Sequence, residues 1–536
     1  MKRSLSLFAT GTAAGLAALG FNFMLRLGGL AAFPPESALG AFLRVVPAYI
    51  EEPMVQRFAD FAGPLGLIVI TLIAAVVYGA IFVIYDRFAA AKVARLGLST
   101  LETVLVMSLI PWILFGLVLF PIDGNAVFGM GPFASPSSVW IFPLGLLLAQ
   151  AVFALLASVR YHLSSATSIA VLPDRPKQNL QRRDFIEKGI IGILAVAGVA
   201  VGVTGLGQLF PPEPVEVSQP INLAEAPAIF SDPRLATLVD SEVTPAADFY
   251  RVAIDIIDPT VGASIWSLGV DGLVNSPKSY SIEDIQSFPE TTQYTALECI
   301  SNELDGDLIG NAMWGGVKIS DILANAGGVQ PGAGYVVFYS VDGYSVGIPL
   351  EKAMMPDSIL AYSMNGETLP ARHGYPLRGV IPGLYGMMSA KWVTKISVMG
   401  SAYDGYWQTR GWTNDATVYT EVFIVLPSAT VELSQSEGSI MVAGFAYAGD
   451  RGISKVEVSF DNGRTWEQAT LKPPLSNLTW VLWAYEWILP PLYRAGEYIV
   501  IARATDGNGQ LQTSAEAGTY PNGATGYVSL LIQITD

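Results

Sequence analysis

The chain holds a single cysteine, Cys299, inside the run Glu-Cys-Ile-Ser-Asn at residues 298–302. As a thiolate, cysteine is a nucleophile and a ligand for soft metals; as a thiol it is more often a small buried hydrophobe. One cysteine cannot form an intramolecular disulfide, which fits a reducing compartment, or a protein that folds in one before export. Histidine is nearly as scarce, with only His162 and His373. A b-type haem held by two facing histidines would need a pair in the apolar N-terminal half, which offers only His162, so no haem is evident. His373 precedes Gly374 and Pro376 and by itself reads as a turn residue. Gly315, Gly316, Gly383 and Gly386 permit tight turns and close backbone approach, as a buried group would require.

The elements that must position these residues divide sharply in composition. Residues 1–210 carry 14 Lys/Arg against 10 Asp/Glu, and residues 211–536 carry 16 against 36. The acidic half lacks the basic face that phosphate backbones require, so nucleic acid is excluded as a partner. An acidic surface would suit a basic external redox carrier, although solubility alone also explains it. Five N-terminal segments are long and apolar enough to cross about 30 Å of hydrocarbon: Leu5–Leu25, Phe61–Tyr85, Leu101–Phe120, Val139–Val159 and Gly189–Phe210. Basic residues cluster after the second span (Arg87, Lys92, Arg95) and after the fourth (Arg160 to Lys188), whereas Pro121–Ser138 has none. The positive-inside bias then places the N-terminus in the cytoplasm and everything beyond Phe210 outside, in a multi-pass protein of the cell membrane. A short basic start precedes the first span, a pattern that signal peptides share; the topology of the rest is the same either way.

Residues 181–188, Gln-Arg-Arg-Asp-Phe-Ile-Glu-Lys, resemble a twin-arginine export signal ahead of a weakly apolar run. That route carries folded proteins, which reconciles a disulfide-free chain with an outer-face location. Beyond a Pro-rich linker (Pro211, Pro212, Pro214, Pro220) come short strands and turns. From about Thr420 the apolar residues alternate: Val456, Val458 and Phe460 share one face, and Asn462-Gly463 is a strong hairpin signal. The final region therefore reads as an all-β, immunoglobulin-like sandwich over 416–536. Trp480, Trp483 and Trp487 are expected in its core or at an interface.

Four segments, FYRVAI (249–254), TALECISNELDGDLIGNAMWGGVKISDIL (295–323), VVFYSVDGYSVGIPLEKAM (336–354) and MNGETLPARHGYPLRGVIPGLYGMMSAKWVTKISV (364–398), together resemble the molybdopterin-binding domain of the sulfite oxidase family. The resemblance implies a multi-domain architecture. A helical membrane bundle occupies 1–210, a mixed α+β molybdopterin domain 211–415, and the sandwich follows, which in that family often mediates dimers. It implies a molybdenum-molybdopterin cofactor with a single pterin and makes Cys299 the metal's protein ligand. Arg378 and Lys391 match the positions that meet the pterin phosphate, with Ser389 and Ala390 offering backbone groups and His373 a further contact. Ser340 or Asp342, and Tyr250 with Arg251, match other contacts. Arg251, Trp314 and Trp412 fall at substrate-side positions.

The pattern departs from the family where substrate would bind. Arginines that line the family's anion pocket are replaced by Leu304 and Val481, a tyrosine by Trp412, and Glu303 stands four residues after Cys299. Oxygen-atom transfer on a small molecule other than sulfite is the expected activity. The competing expectation is a structural or electron-relay subunit of a larger membrane redox complex.

Overall fold

The computed structural model describes residues 2–27, 62–88, 225–254, 258–259, 261–263, 266–427, 431–434, 438–488 and 496–535, with short stretches between residues 33 and 154. The chain divides into two compact units: Met1–Pro212 with Ala253–Gly262 and Val341–Gly343, and Glu213–Val252 with Ala263–Ser340 and Tyr344–Asp536.

In the first unit two helices, α1 (Lys2–Leu27) and α2 (Ala62–Phe88), cover the first two expected spans. Their windows Leu7–Arg26 and Leu67–Ile84 are, among the described residues, the two stretches long and apolar enough to cross a membrane. α2 leaves Ile68, Val69, Leu72, Ile73, Val76, Val77 and Ile84 exposed around much of its circumference. Water would penalise that surface and lipid would not. The helices touch through small residues: a Cβ on Gly11 would strike Phe82, and one on Gly79 would strike Thr12. Glycine at such a crossing lets backbones approach, the packing favoured where no hydrophobic effect drives helices together. Of the five expected spans, two are thus seen as helices long and apolar enough to cross a membrane, and the five-span bundle is not shown. The third and fourth are described only over 108–109, 111–119, 143 and 146–154, and the fifth, with the twin-arginine run, lies outside the described residues.

In the second unit the cofactor-type domain holds two sheets. Its strands are β1 (Leu268–Gly272), β2 (Lys278–Tyr280), β3 (Thr291–Glu298), β4 (Ile309–Lys318), β5 (Tyr335–Ser340), β6 (Ser345–Pro349), β7 (Ile359–Met364), β8 (Glu367–Thr368), β9 (Arg378–Val380) and β10 (Val393–Met399). One sheet runs β2-β1-β10-β5-β6 and the other β3-β4-β7-β8, with β9 paired to β7. Helices are few and short, so the domain is more β-rich than a balanced α+β fold. Phe249, Leu297, Ala312, Trp314, Ile359, Ala361, Met364, Leu369 and Val380 form the core beside the second sheet.

The C-terminal part is a sandwich. β11 (Glu421–Leu426), β12 (Val431–Ser434), β13 (Ser439–Tyr447), β14 (Ile453–Ser459), β15 (Glu467–Gln468), β16 (Thr470–Leu471), β17 (Val481–Ile488), β18 (Gly496–Asp506) and β19 (Val528–Thr535) form two sheets, β11-β13-β17-β16 and β12-β19-β18-β14-β15. Val456, Val458 and Phe460 enter its core with Trp483 and Trp487, as their alternation predicts, and Trp480 packs at a tilt against Phe445, ring centroids 4.6 Å apart. Asn462 and Gly463 do adopt positive φ, 61° and 80°. The connection is nevertheless wider than a two-residue hairpin, because residues 460–466 separate the paired strands. Asp461 holds that loop by accepting from the backbone of Arg464 and Thr465 and from the Thr465 hydroxyl.

Candidate molybdopterin site

Cys299 follows the last residue of β3 and is buried. Its N–H donates to Leu308 O at 2.9 Å and its carbonyl accepts from Asn302 N at 2.9 Å, closing a turn. Asn302, also buried, fastens the turn twice: Oδ1 accepts from Leu308 N (2.9 Å) and Nδ2 donates to Glu298 Oε1 (3.0 Å). The Asn of the Cys-x-x-Asn pattern thereby fixes the direction in which the cysteine is presented.

Behind that turn Glu298 faces Glu421, the first residue of β11, in a contact between the two domains. Both carboxyls are buried. Burial pushes Glu298 up to about 7, and burial with repulsion from Glu298 raises Glu421 further. Two carboxyls so placed disfavour being ionised together.

Arg378 begins β9 and is buried, and its guanidinium donates only to backbone carbonyls: His373 O (3.1 Å), Gly379 O (3.3 Å) and Ser389 O (3.4 Å). It lies over the Trp314 ring, 4.7 Å from the centroid. Among the described residues no carboxylate pairs with it. Burial lowers it to about 10, offset in part by Tyr250. A desolvated cation answered only by dipoles is costly, and a bound anion relieves the cost. Lys391 is half-buried, donates to Arg372 O (3.3 Å) and lies 4.4 Å over the Trp392 ring. Arg372, which no motif or spacing singled out, is a third cation of the cluster: with Arg378 and Lys391 it depresses His373 electrostatically. Burial is the larger cause and takes that imidazole down to about 3. His373 is thus neutral, and its Nε2–H donates to Ala246 O at 2.5 Å.

Tyr250 lies between these groups. Burial first, then the proximity of Cys299, push its phenol well above the usual range, while Arg378 pulls it down. A Cβ on Gly386 would collide with its hydroxyl, so glycine there is what admits Tyr250. Arg251 follows in the chain and is half-buried. Ser340, at the end of β5, is buried with a hydroxyl that has no hydrogen-bond partner, an orphaned group of the kind a bound molecule satisfies. Ser389 Oγ instead accepts from Ile381 N (3.1 Å), and Ala390 O accepts from Gly379 N (2.8 Å), so these groups already serve the fold. Asp342 is half-buried in the turn 341–343, which belongs to the other unit.

The substrate-side positions are arranged differently from expectation. Trp314 is fully buried, its indole N–H donates to Thr295 O (3.1 Å) and its face carries Arg378, so it supports the cation and is not open to substrate. Trp412 is buried edge-on against Tyr520 at 5.2 Å. Leu304 packs against the sandwich core and Val481 is buried within β17. Glu303 is exposed. Arg410, a cation close by in sequence, lies 3.5 Å over the Tyr406 ring and donates to Tyr406 O at 2.7 Å.

Residues 255–407 match the family model for the oxidoreductase molybdopterin binding domain, and residues 410–519 that for the Mo-co oxidoreductase dimerisation domain. The chain is 31% identical over 319 residues to a sulfite oxidase of Arabidopsis thaliana, an alignment covering 50% of this chain and 80% of that protein. It is 28% identical over 334 residues to the mitochondrial sulfite oxidase of Rattus norvegicus, covering 54% of this chain and 60% of that one. Among solved structures, the sulfane dehydrogenase SoxCD of Paracoccus pantotrophus aligns at a TM-score of 0.47 and 23% identity, over 55% of this chain and 84% of that chain. The chain belongs to the sulfite oxidase family and is a molybdopterin-dependent oxidoreductase of that type.

Proposed function

We propose that this chain is a membrane-anchored enzyme with Cys299 as the protein ligand of molybdenum. On this reading it transfers an oxygen atom on the outer face of the cell membrane, to or from a small molecule other than sulfite. The observation that carries the reading is the pairing of a buried cysteine, presented by the Asn302-pinned turn, with a buried Arg378 that lacks a carboxylate. Arg378, with Arg372 and Lys391 nearby, would hold the phosphate of a single pterin, and Ser340 Oγ would supply a further polar contact. When bound, the molybdenum centre supplies the two-electron oxygen-transfer chemistry.

The protein's part is to hold and orient. Asn302 fixes the cysteine, Trp314 backs the guanidinium, and Tyr250 lies near both with its phenol protonated. The lack of arginine at 304 and 481 supports a substrate with less negative charge than sulfite, because a small dianion relies on charge-assisted donors worth roughly 1.5–3 kcal/mol each. A sulfoxide or N-oxide fits that lower demand for charge. The apolar faces of α1 and α2, and the Arg182-Arg183 pair, support anchoring and export of a folded domain. Elemental analysis of purified protein for molybdenum, followed by assays with sulfite and a sulfoxide panel, tests the reading. Stoichiometric metal with poor sulfite turnover is expected. Absence of molybdenum, or efficient sulfite turnover at micromolar Michaelis constant, overturns the corresponding half.

A further inference from the structure

The segment from Glu242 to Arg251 has no regular secondary structure, yet underlying side chains grip it along most of its length. Asn311 Nδ2 donates to Glu242 O (2.8 Å) and Asn365 Nδ2 to Thr244 O (3.0 Å), while Thr244 and Asn311 exchange two more bonds. His373 Nε2 then takes Ala246 O (2.5 Å) and Arg372 Nη1 takes Ala247 O (3.2 Å). Phe249 descends into the core, edge-on to both Trp314 and His373 at 5.6 Å, and Tyr250 stacks on Phe249 at 5.3 Å with its hydroxyl against Gly386. The strap thus ends at Tyr250, whose phenol lies near Cys299 and Arg378.

We propose that Arg372 and His373 are positioning residues, which hold the backbone at 246 and 247 and through it set Tyr250 against the Cys299 site. The imidazole's Nε2 is spent on this strap, so His373 acts on the site through Tyr250 rather than by that nitrogen touching the cofactor. Burial keeps the ring neutral and hence a single-donor group whose hydrogen is committed to Ala246. Arg372 does the same for the next carbonyl, and its charge lies beside Arg378 and Lys391. Consecutive residues 372 and 373, on the short helical turn Ala371–His373, therefore clasp consecutive carbonyls of the strap.

This inference rests on the proposed role of Cys299 for its functional meaning, but its test does not. Backbone amides of Thr244, Asp248 and Phe249 are hydrogen-bonded within or beneath the strap, and their hydrogen exchange reports its opening. Exchange is measured on the full chain in detergent, with and without the metal. Glutamine places an amide N–H where Nε2 stands and asparagine places one where Nδ1 stands, and both remove the ring's contact with Phe249. His373→Asn and Arg372→Met are expected to speed exchange at these amides about tenfold or more, the effect of losing a hydrogen bond to a buried carbonyl. His373→Gln and Arg372→Lys are expected to remain close to the wild-type rate. Equal rates in the Gln and Asn variants, or faster exchange spread evenly over both sheets, overturn the proposal. A failure of the metal assignment at Cys299 would leave these exchange rates unchanged, so the two readings fail separately.

Discussion

Two regions around the Cys299 turn differ in how they treat charge. On one side Arg378 is buried on Trp314 and answered only by carbonyl oxygens, with Arg372 and Lys391 nearby. On the other, Leu304 leans into the sandwich core and Val481 lies inside β17. A buried cation without a carboxylate is costly and gains from an anionic partner, whereas aliphatic side chains in a core need nothing more. On the proposed reading the first region serves a ligand and the second the fold. The lesson is that the cofactor side and the substrate side of one family site can be decided independently, because one answers to a constant ligand and the other to the packing between domains.

The largest effect that would break this contrast is on the metal. Cys299→Ser is expected to abolish turnover and change the molybdenum spectroscopic signature, while pterin remains bound through the cations. An unchanged signature would remove Cys299 from the metal. Arg378→Met should come next: losing charge-assisted hydrogen bonds of roughly 1.5–3 kcal/mol each should weaken cofactor retention by ten- to several-hundredfold. Metal and pterin content after dialysis measures it, and full retention would show that Arg378 does not face the phosphate.

The domain contact offers a stability test of similar size. Lys472 Nζ meets Glu242 Oε2 at 2.7 Å with both side chains almost fully buried. Lys472→Met should cost about 3–5 kcal/mol because it strands a buried carboxylate, and the added change Glu242→Gln should recover part of the loss. Thermal unfolding of the single and double variants decides it. Returning a guanidinium to the substrate side sharpens the contrast further. Leu304→Arg removes packing against the sandwich and is expected to cost about 1–3 kcal/mol without improving sulfite turnover. A gain of tenfold or more in kcat/KM for sulfite would show that position 304 faces substrate after all.

The effect that is smallest near neutral pH is a pH dependence. His373 titrates near 3 when folded and near 6.5 when unfolded, so acid charges the unfolded chain first. Its contribution is fully present above pH 6.5 and is lost as pH falls, by up to about 1.4 kcal/mol per unit between 6.5 and 3. The difference in unfolding free energy between wild type and His373→Gln should therefore be flat above pH 6.5 and slope below it. A flat difference down to pH 5 would mean the ring is already solvated or charged in the native state.

Much of this was legible from residue order. Apolar runs located α1 and α2 because both were read as long, nearly uncharged apolar segments, and period-two alternation located the core face of β14 because a strand's side chains alternate. The lone cysteine stood out by type, and Arg378 through the resemblance of its segment to the family. Other features had no local signature. Arg372 looks like any turn arginine until the fold brings Ala247 beneath it, and Trp314 looked like a substrate contact until Thr295 and Arg378 were found to occupy its edge and face. Glu298 and Glu421 lie far apart in sequence, and only the docking of the sandwich on the cofactor domain brings the two buried carboxyls together. Side-chain type and periodicity are properties of the chain and can be read along it. Which carbonyl a donor reaches, and which charges meet without water between them, depend on contacts between distant segments that only packing creates.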